Sequence, residues 1–136
     1  MTKTHRILDL YCDGASRGNP GPAAYGFVLL HEGQVVSEFG KRIGNTTNNV
    51  AEYSGLVEGL KRALELGTKE IRIHADSELM IKQLKGEYKI KSPLLKPFFD
   101  QAKILLTKFE SFKLQHVRRE FNKQADQLCN EALDFT

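Results

Sequence analysis

Four acidic residues stand where local structure changes along this chain: Asp13, Glu52, Asp76 and Asp126. Asp13 follows an apolar run at 7–12 and Asp76 ends a second run at 70–75, while Glu52 and Asp126 fall near the starts of helical patterns. Taken singly, each has an ordinary explanation. Asp76 reads as an N-cap, Glu52 and Asp126 as acids that interact with a helix N-terminus, and Asp13 as a surface residue at a strand end. Two strands ending on Asp, together with two acids at helix starts, strain that explanation. If the fold brings all four to one edge, their repulsion demands cations, because nearby like charges disfavour ionisation. All-oxygen ligands suit Mg²⁺ or Mn²⁺, and Cys12 and Cys129 are not spaced with His as zinc ligands are. Two such ions, ~3.5–4 Å apart, clamp the attacking and leaving oxygens of an in-line phosphoryl displacement. The chemistry implied is phosphodiester hydrolysis by metal-activated water.

The elements must then place these groups. Residues 7–12 (ILDLYC) alternate little, the pattern of a strand covered on both faces. Asp13 is expected at its C-terminal edge, facing solvent. Gly14, Gly18 and Gly21 in the following loop read as positions of positive φ and close backbone approach, with Asn19-Pro20 and Gly21-Pro22 as turn dipeptides. Such a loop offers bare N–H and C=O groups to a sugar-phosphate chain. Residues 23–31 and 34–43 form a hairpin about Glu32-Gly33, which makes a three-stranded antiparallel meander with the first strand inside if more strands follow.

The polar turn 44–49 leads into a helix that runs to about Leu66, with Asn49 and Glu52 as a capping pair and Tyr53, Leu56, Val57, Leu60, Ala63 and Leu64 on one buried face. Strand 70–75, reached through that helix, is parallel to its neighbour. If the neighbour is the first strand, Asp13 and Asp76 share the edge at which open α/β sheets bind ligands. Ser77 opens a helix over 77–86. Ser92-Pro93 predicts a further helix over 94–109 with proline in its first position. Residues 112–118 alternate as a fifth, edge strand, 119–121 form a short loop, and Asn122 caps a last helix carrying Asp126.

With 136 residues, of which 40% are hydrophobic, the chain has material for one cored domain, 1–136. No apolar run approaches bilayer length and residues 1–8 carry no leader-like apolar region, which predicts a cytoplasmic protein without membrane contact and with two reduced thiols. The net charge of +3 hides an uneven spread. From Lys82 to Arg119 ten Lys or Arg stand against three acids, leaving the remainder net acidic. A basic segment joined to an acidic one suits a protein that grips a polyanion with one part and holds cations with the other.

Over essentially its whole length the chain resembles type 1 ribonuclease H. The residues that carry this are YCDGASRGNPGPAAYG at 11–26, TTNNVAEYSGLVEGL at 46–60, HADSELMIKQL at 74–84 and NKQADQLCNEAL at 122–133. The resemblance implies an α/β fold, a five-stranded mixed sheet in order 3-2-1-4-5 with helices on both faces. It implies hydrolysis of the RNA strand of RNA–DNA hybrids with two Mg²⁺ or Mn²⁺ ions, leaving 5′-phosphate and 3′-hydroxyl ends. Asp13 would bridge both ions, Glu52 and Asp76 would hold one, and Asp126 the other. Gly14, Ala15, Ser16, Arg17 and Glu52 would track the RNA 2′-hydroxyls. Asn19, Asn48 and Asn49 would contact the hybrid backbone and minor groove, and Thr47 a DNA phosphate. Ser77 is placed in the substrate site beside Glu78, where many relatives carry glutamine.

The chain also departs from many bacterial relatives. It has no tryptophan-rich basic protrusion, so residues 88–92 fill that space, as in archaeal and some Gram-positive forms. It has no glycine-flanked histidine loop, and His116 falls inside a strand, so Arg118 or Arg119 is expected to stabilise the phosphate instead. A monomer is the family's habit. The competing readings are a non-catalytic or weakly active hybrid-binding protein, and a nuclease of this fold acting on other nucleic acids; the loop DGASRGNPG speaks for RNA.

Overall fold

The structure, a computed structural model, describes residues 7–134, so the reading of residues 1–6 as free of a leader lies outside the described residues. Strand β1 (Ile7–Ser16) pairs antiparallel with β2 (Gly21–His31), which pairs antiparallel with β3 (Gln34–Thr46). Helix α1 (Asn48–Glu65) crosses to β4 (Glu70–Ala75), parallel to β1. Helices α2 (Glu78–Leu84) and α3 (Lys96–Leu106) then return the chain to β5 (Ser111–His116), parallel to β4. A 3₁₀ turn (Arg119–Phe121) precedes α4 (Lys123–Asp134). The sheet order is β3-β2-β1-β4-β5, with β1 central and β5 at an edge, as expected from the sequence.

The main core fills one side of the sheet. Leu8, Leu10, Ile71 and Ile73 point from the two central strands into Tyr53, Leu56, Leu60 and Ala63 of α1, all buried. Full burial of each such leucine or isoleucine is worth ~1.5–3 kcal/mol, which is what holds α1 to the sheet. On the opposite face α4 packs through Cys129 and Leu133 on Ala24 with Ala15 alongside, a smaller cluster that lets the helix lie close to β1 and β2. Burial pushes the Cys129 thiol up to about 12 and raises Cys12 further, so both sulfurs sit as inert packing groups. No helix of the described residues is long and apolar enough to cross a membrane.

Four expectations need correction. Strand β1 does not stop at Asp13: β2 keeps supplying hydrogen-bond partners as far as Ser16 opposite Ala23, so Asp13 lies inside the strand and is 9% exposed, not solvent-facing. Strand β3 extends through Thr46 because residues 44–46 still pair with 21–23. Thr47, not Asn49, caps α1, its Oγ1 accepting from Val50 N at 3.2 Å. Helix α3 begins at Lys96 with Pro97 in its first turn, since 92–95 form a separate turn closed by Leu95 N to Ser92 O at 3.2 Å.

On the face of β1 and β4 outside the main core, Asp9 accepts a two-pronged hydrogen bond from Arg72 (2.8 and 2.9 Å) and lies 2.9 Å from His74, whose ring stacks on Tyr11. Burial pushes the Asp9 carboxyl up, but the Arg72 and His74 hydrogen bonds outweigh it and hold it below its usual value. These side chains brace the two strands across their parallel pairing.

Candidate functional site

The register of β1 and β4 ends at Cys12 opposite Ala75. Asp13, still within β1, and Asp76, just past the end of β4, are the next residues along the chain, so their carboxylates come together where the strands part. Glu52 comes from the first turns of α1, which reaches this point because two positions carry no side chain. A Cβ on Gly14 would collide with the backbone of Ala51 and Glu52, and one on Gly55 would lie 2.7 Å from the Asp13 carbonyl oxygen. Gly14 is needed for space, not for positive φ; in the adjoining loop the left-handed glycine is Gly18 (φ 93°).

One carboxylate oxygen from each of Asp13, Glu52 and Asp76 can be chosen so that all three lie within 4.8 Å of one another. Asp126, in the first turn of α4, stands outside that trio but beside Asp13, close enough for a carboxyl–carboxyl hydrogen bond. Crowding has electrostatic consequences. Burial, then the charges of Asp76 and Asp126, push Asp13 up to about 8. Burial and Asp76 push Glu52 up to about 7, against the opposing pull of a Ser77 hydrogen bond and the Arg119 charge. Asp76 Oδ2 is buried with no hydrogen-bond partner among the described residues. An all-oxygen, mutually repelling set with an orphaned buried oxygen fits a hard divalent cation.

The residues expected to touch substrate divide into groups. Ser16 donates from both its N–H (2.7 Å) and its hydroxyl (3.0 Å) to Asn48 Oδ1, and Asn48 N donates to Asn19 Oδ1 at 3.1 Å. The strand end 14–16, Asn19 and the α1 cap Thr47 with Asn48 thus form one knitted platform beside the carboxylates. Arg17 is engaged elsewhere, paired with Asp134 at the end of α4. Asn49 lines a groove of about 570 Å³ together with Leu79, Gln83, Tyr88, Lys89 and Lys91. Ser77 caps α2, accepting from Met80 N at 3.2 Å. Arg118 is largely exposed and pairs with Glu120 at 3.3 Å, whereas Arg119 is the arginine whose charge reaches Glu52.

Sequence reasoning missed two participants. Gly55 gave no signal beyond a glycine in a helical run. Asn122 stands at the N-cap position of α4 as its type predicts, its C=O accepting from Asp126 N, but its amide Nδ2 donates to Cys12 O at 2.9 Å and its Oδ1 has no hydrogen-bond partner among the described residues.

A family profile described as reverse transcriptase-like matches residues 11–132. Ribonuclease HI of Halobacterium salinarum is 47% identical over 125 residues, covering 91% of this chain and 63% of that protein, so the chain spans under two thirds of that relative's length. The crystal structure of an RNase H1 from the same archaeon superposes with a TM-score of 0.93 at 45% identity, covering 96% of this chain and 99% of that one. LC11-RNase H1, solved in complex with an RNA/DNA hybrid, superposes at 0.88 with 40% identity, covering 93% and 96%. With the sheet order, the carboxylate edge and these matches in agreement, the chain belongs to the reverse transcriptase-like family, on its ribonuclease H type 1 branch.

Proposed function

We propose that this chain is an endoribonuclease that hydrolyses the RNA strand of RNA–DNA hybrids, leaving 5′-phosphate and 3′-hydroxyl ends, and acts as a single-domain monomer in the cytoplasm. The observation that carries the reading is the approach of Asp13, Glu52 and Asp76 within 4.8 Å at the parting of β1 and β4, with Asp126 against Asp13. These four would hold two Mg²⁺ or Mn²⁺ ions, which when bound polarise the phosphate and lower the pKa of an attacking water. The chain's own residues do the rest. Asp13 and Glu52, lifted to about 8 and 7 by burial and their acidic neighbours, hold protons near neutral pH that they would give up on binding a cation. The Ser16–Asn48–Asn19 lattice holds the backbone of 14–16 rigid beside the carboxylates, where it can read 2′-hydroxyls. Arg119 brings positive charge toward Glu52, suited to stabilising the phosphate as its charge builds.

The test is cleavage of an end-labelled RNA–DNA hybrid with Mg²⁺, Mn²⁺ or EDTA. Cuts confined to the RNA strand, absent in EDTA and lost in Asp13→Asn, are expected, with Arg119→Ala lowering kcat by ~10²-fold if it stabilises developing charge. Hybrid binding without cleavage under either ion would replace this reading with a non-catalytic binding protein.

A further inference from the structure

We infer that Asn122 is a positioning residue that sets Asp126 and Arg119 in place relative to Asp13, and through them the metal-binding strength of the site. The inference rests on the two-ion reading above. Where β1 and β4 part, the last paired residues leave two carbonyls at the head of the split. Ala75 O accepts from Val117 N at 2.9 Å, a backbone bond that any side chain at 117 except proline permits. Cys12 O accepts from Asn122 Nδ2 at 2.9 Å, a bond that depends on the residue type.

Asn122 is 1% exposed and is tied by its own backbone to two functional groups. Its N–H donates to Arg119 O at 2.9 Å, closing the 3₁₀ turn, and its C=O accepts from Asp126 N at 3.1 Å, starting α4. One residue therefore joins the carbonyl preceding Asp13, the turn bearing Arg119 and the helix turn bearing Asp126. A purely space-filling role would favour an apolar side chain, since a buried amide with one protein hydrogen bond costs desolvation that an apolar group avoids. An amide kept here is explained by what it orients, as with the hydrogen-bonding groups that surround metal ligands in general.

The test uses the whole protein, with Mn²⁺ as probe. Mn²⁺ binding to wild type, Asn122→Ala and Asn122→Ser is followed by electron paramagnetic resonance or calorimetry, well below each variant's Tm, alongside hybrid cleavage. Serine, smaller but polar, serves if the alanine variant does not fold. Loss of the amide is expected to weaken Mn²⁺ binding ~10–100-fold and to lower kcat with little change in KM for the hybrid. Mn²⁺ affinity and kcat within about twofold of wild type, with nothing but Tm reduced, would show a merely structural contact and overturn the proposal. The Mn²⁺ titration needs no substrate, so a wild-type chain that binds Mn²⁺ yet cuts nothing would defeat the nuclease reading while leaving the role of Asn122 measurable.

Discussion

Asp13 and Glu52 are held in the folded chain at values well above those of free carboxyl groups, by burial first and by their acidic neighbours second. In an unfolded chain both titrate near pH 4, so the folded state binds the extra protons. Their contribution to stability is complete below that pH and is lost as pH rises through about 7 and 8. In EDTA the Tm is therefore expected to fall between pH 5 and 8, and Mg²⁺ or Mn²⁺ should flatten that fall by neutralising the cluster. Asp13→Asn removes the charge at all pH values. It should raise Tm in EDTA by roughly 3–8 °C at pH 8 and by much less at pH 5, where wild-type Asp13 is already protonated. A calorimetric series at the two pH values, with and without metal, checks both the sign and the window; an equal gain at pH 5 and 8 would sink the electrostatic account.

Two elements meet at the site without side chains between them. Strand β1 and the start of α1 touch at Gly14 and Gly55, and this contact sets how far Glu52 can approach Asp13. Gly55→Ala should improve the intrinsic propensity of α1 yet destabilise the protein, because its Cβ would press on the Asp13 carbonyl at 2.7 Å. The expected net cost is ~1–3 kcal/mol by denaturant unfolding, with hybrid cleavage falling further than stability explains as Glu52 moves outward. A stabilised variant with full activity would show that the helix has slack to shift. The capping residue behaves differently: Thr47→Ala removes one hydrogen bond to Val50 N and touches no carboxylate.

Across the whole molecule, charge and shape agree. The acidic edge lies beside a groove whose walls are Leu79 and Tyr88 and whose rim includes Lys89 and Lys91, within the basic segment of the chain. Tyr88 is half exposed, with Lys82 over its ring at 5.1 Å, so an aromatic face and cations are offered together. Under the proposed function this groove is expected to share the grip on the hybrid. Replacing Lys89 and Lys91 together by Ala should raise KM while sparing kcat. It should also reduce the slope of log affinity against log salt by about 1 for each phosphate no longer neutralised. An unchanged salt slope would remove these lysines from the interface.

Much of this was legible along the chain. The strand patterns and the crossover through an amphipathic helix pointed to the meander, the parallel fourth strand and four acids at element ends, because periodicity and turn chemistry are local properties of consecutive residues; the full sheet order came from the family resemblance. The tertiary structure alone decided the rest. Asp13 sits within its strand and buried because β2, the return strand after the glycine-rich loop, continues to pair beyond it as far as Ser16. Arg17 is drawn to Asp134, and the side chain of Asn122, at the N-cap position of α4, turns to Cys12 O across 110 positions of sequence. Gly55 matters through an atom it lacks, at a contact with a strand 42 residues earlier. Side chains choose partners by proximity in space, and a linear pattern carries no record of which distant backbone will stand within hydrogen-bonding reach.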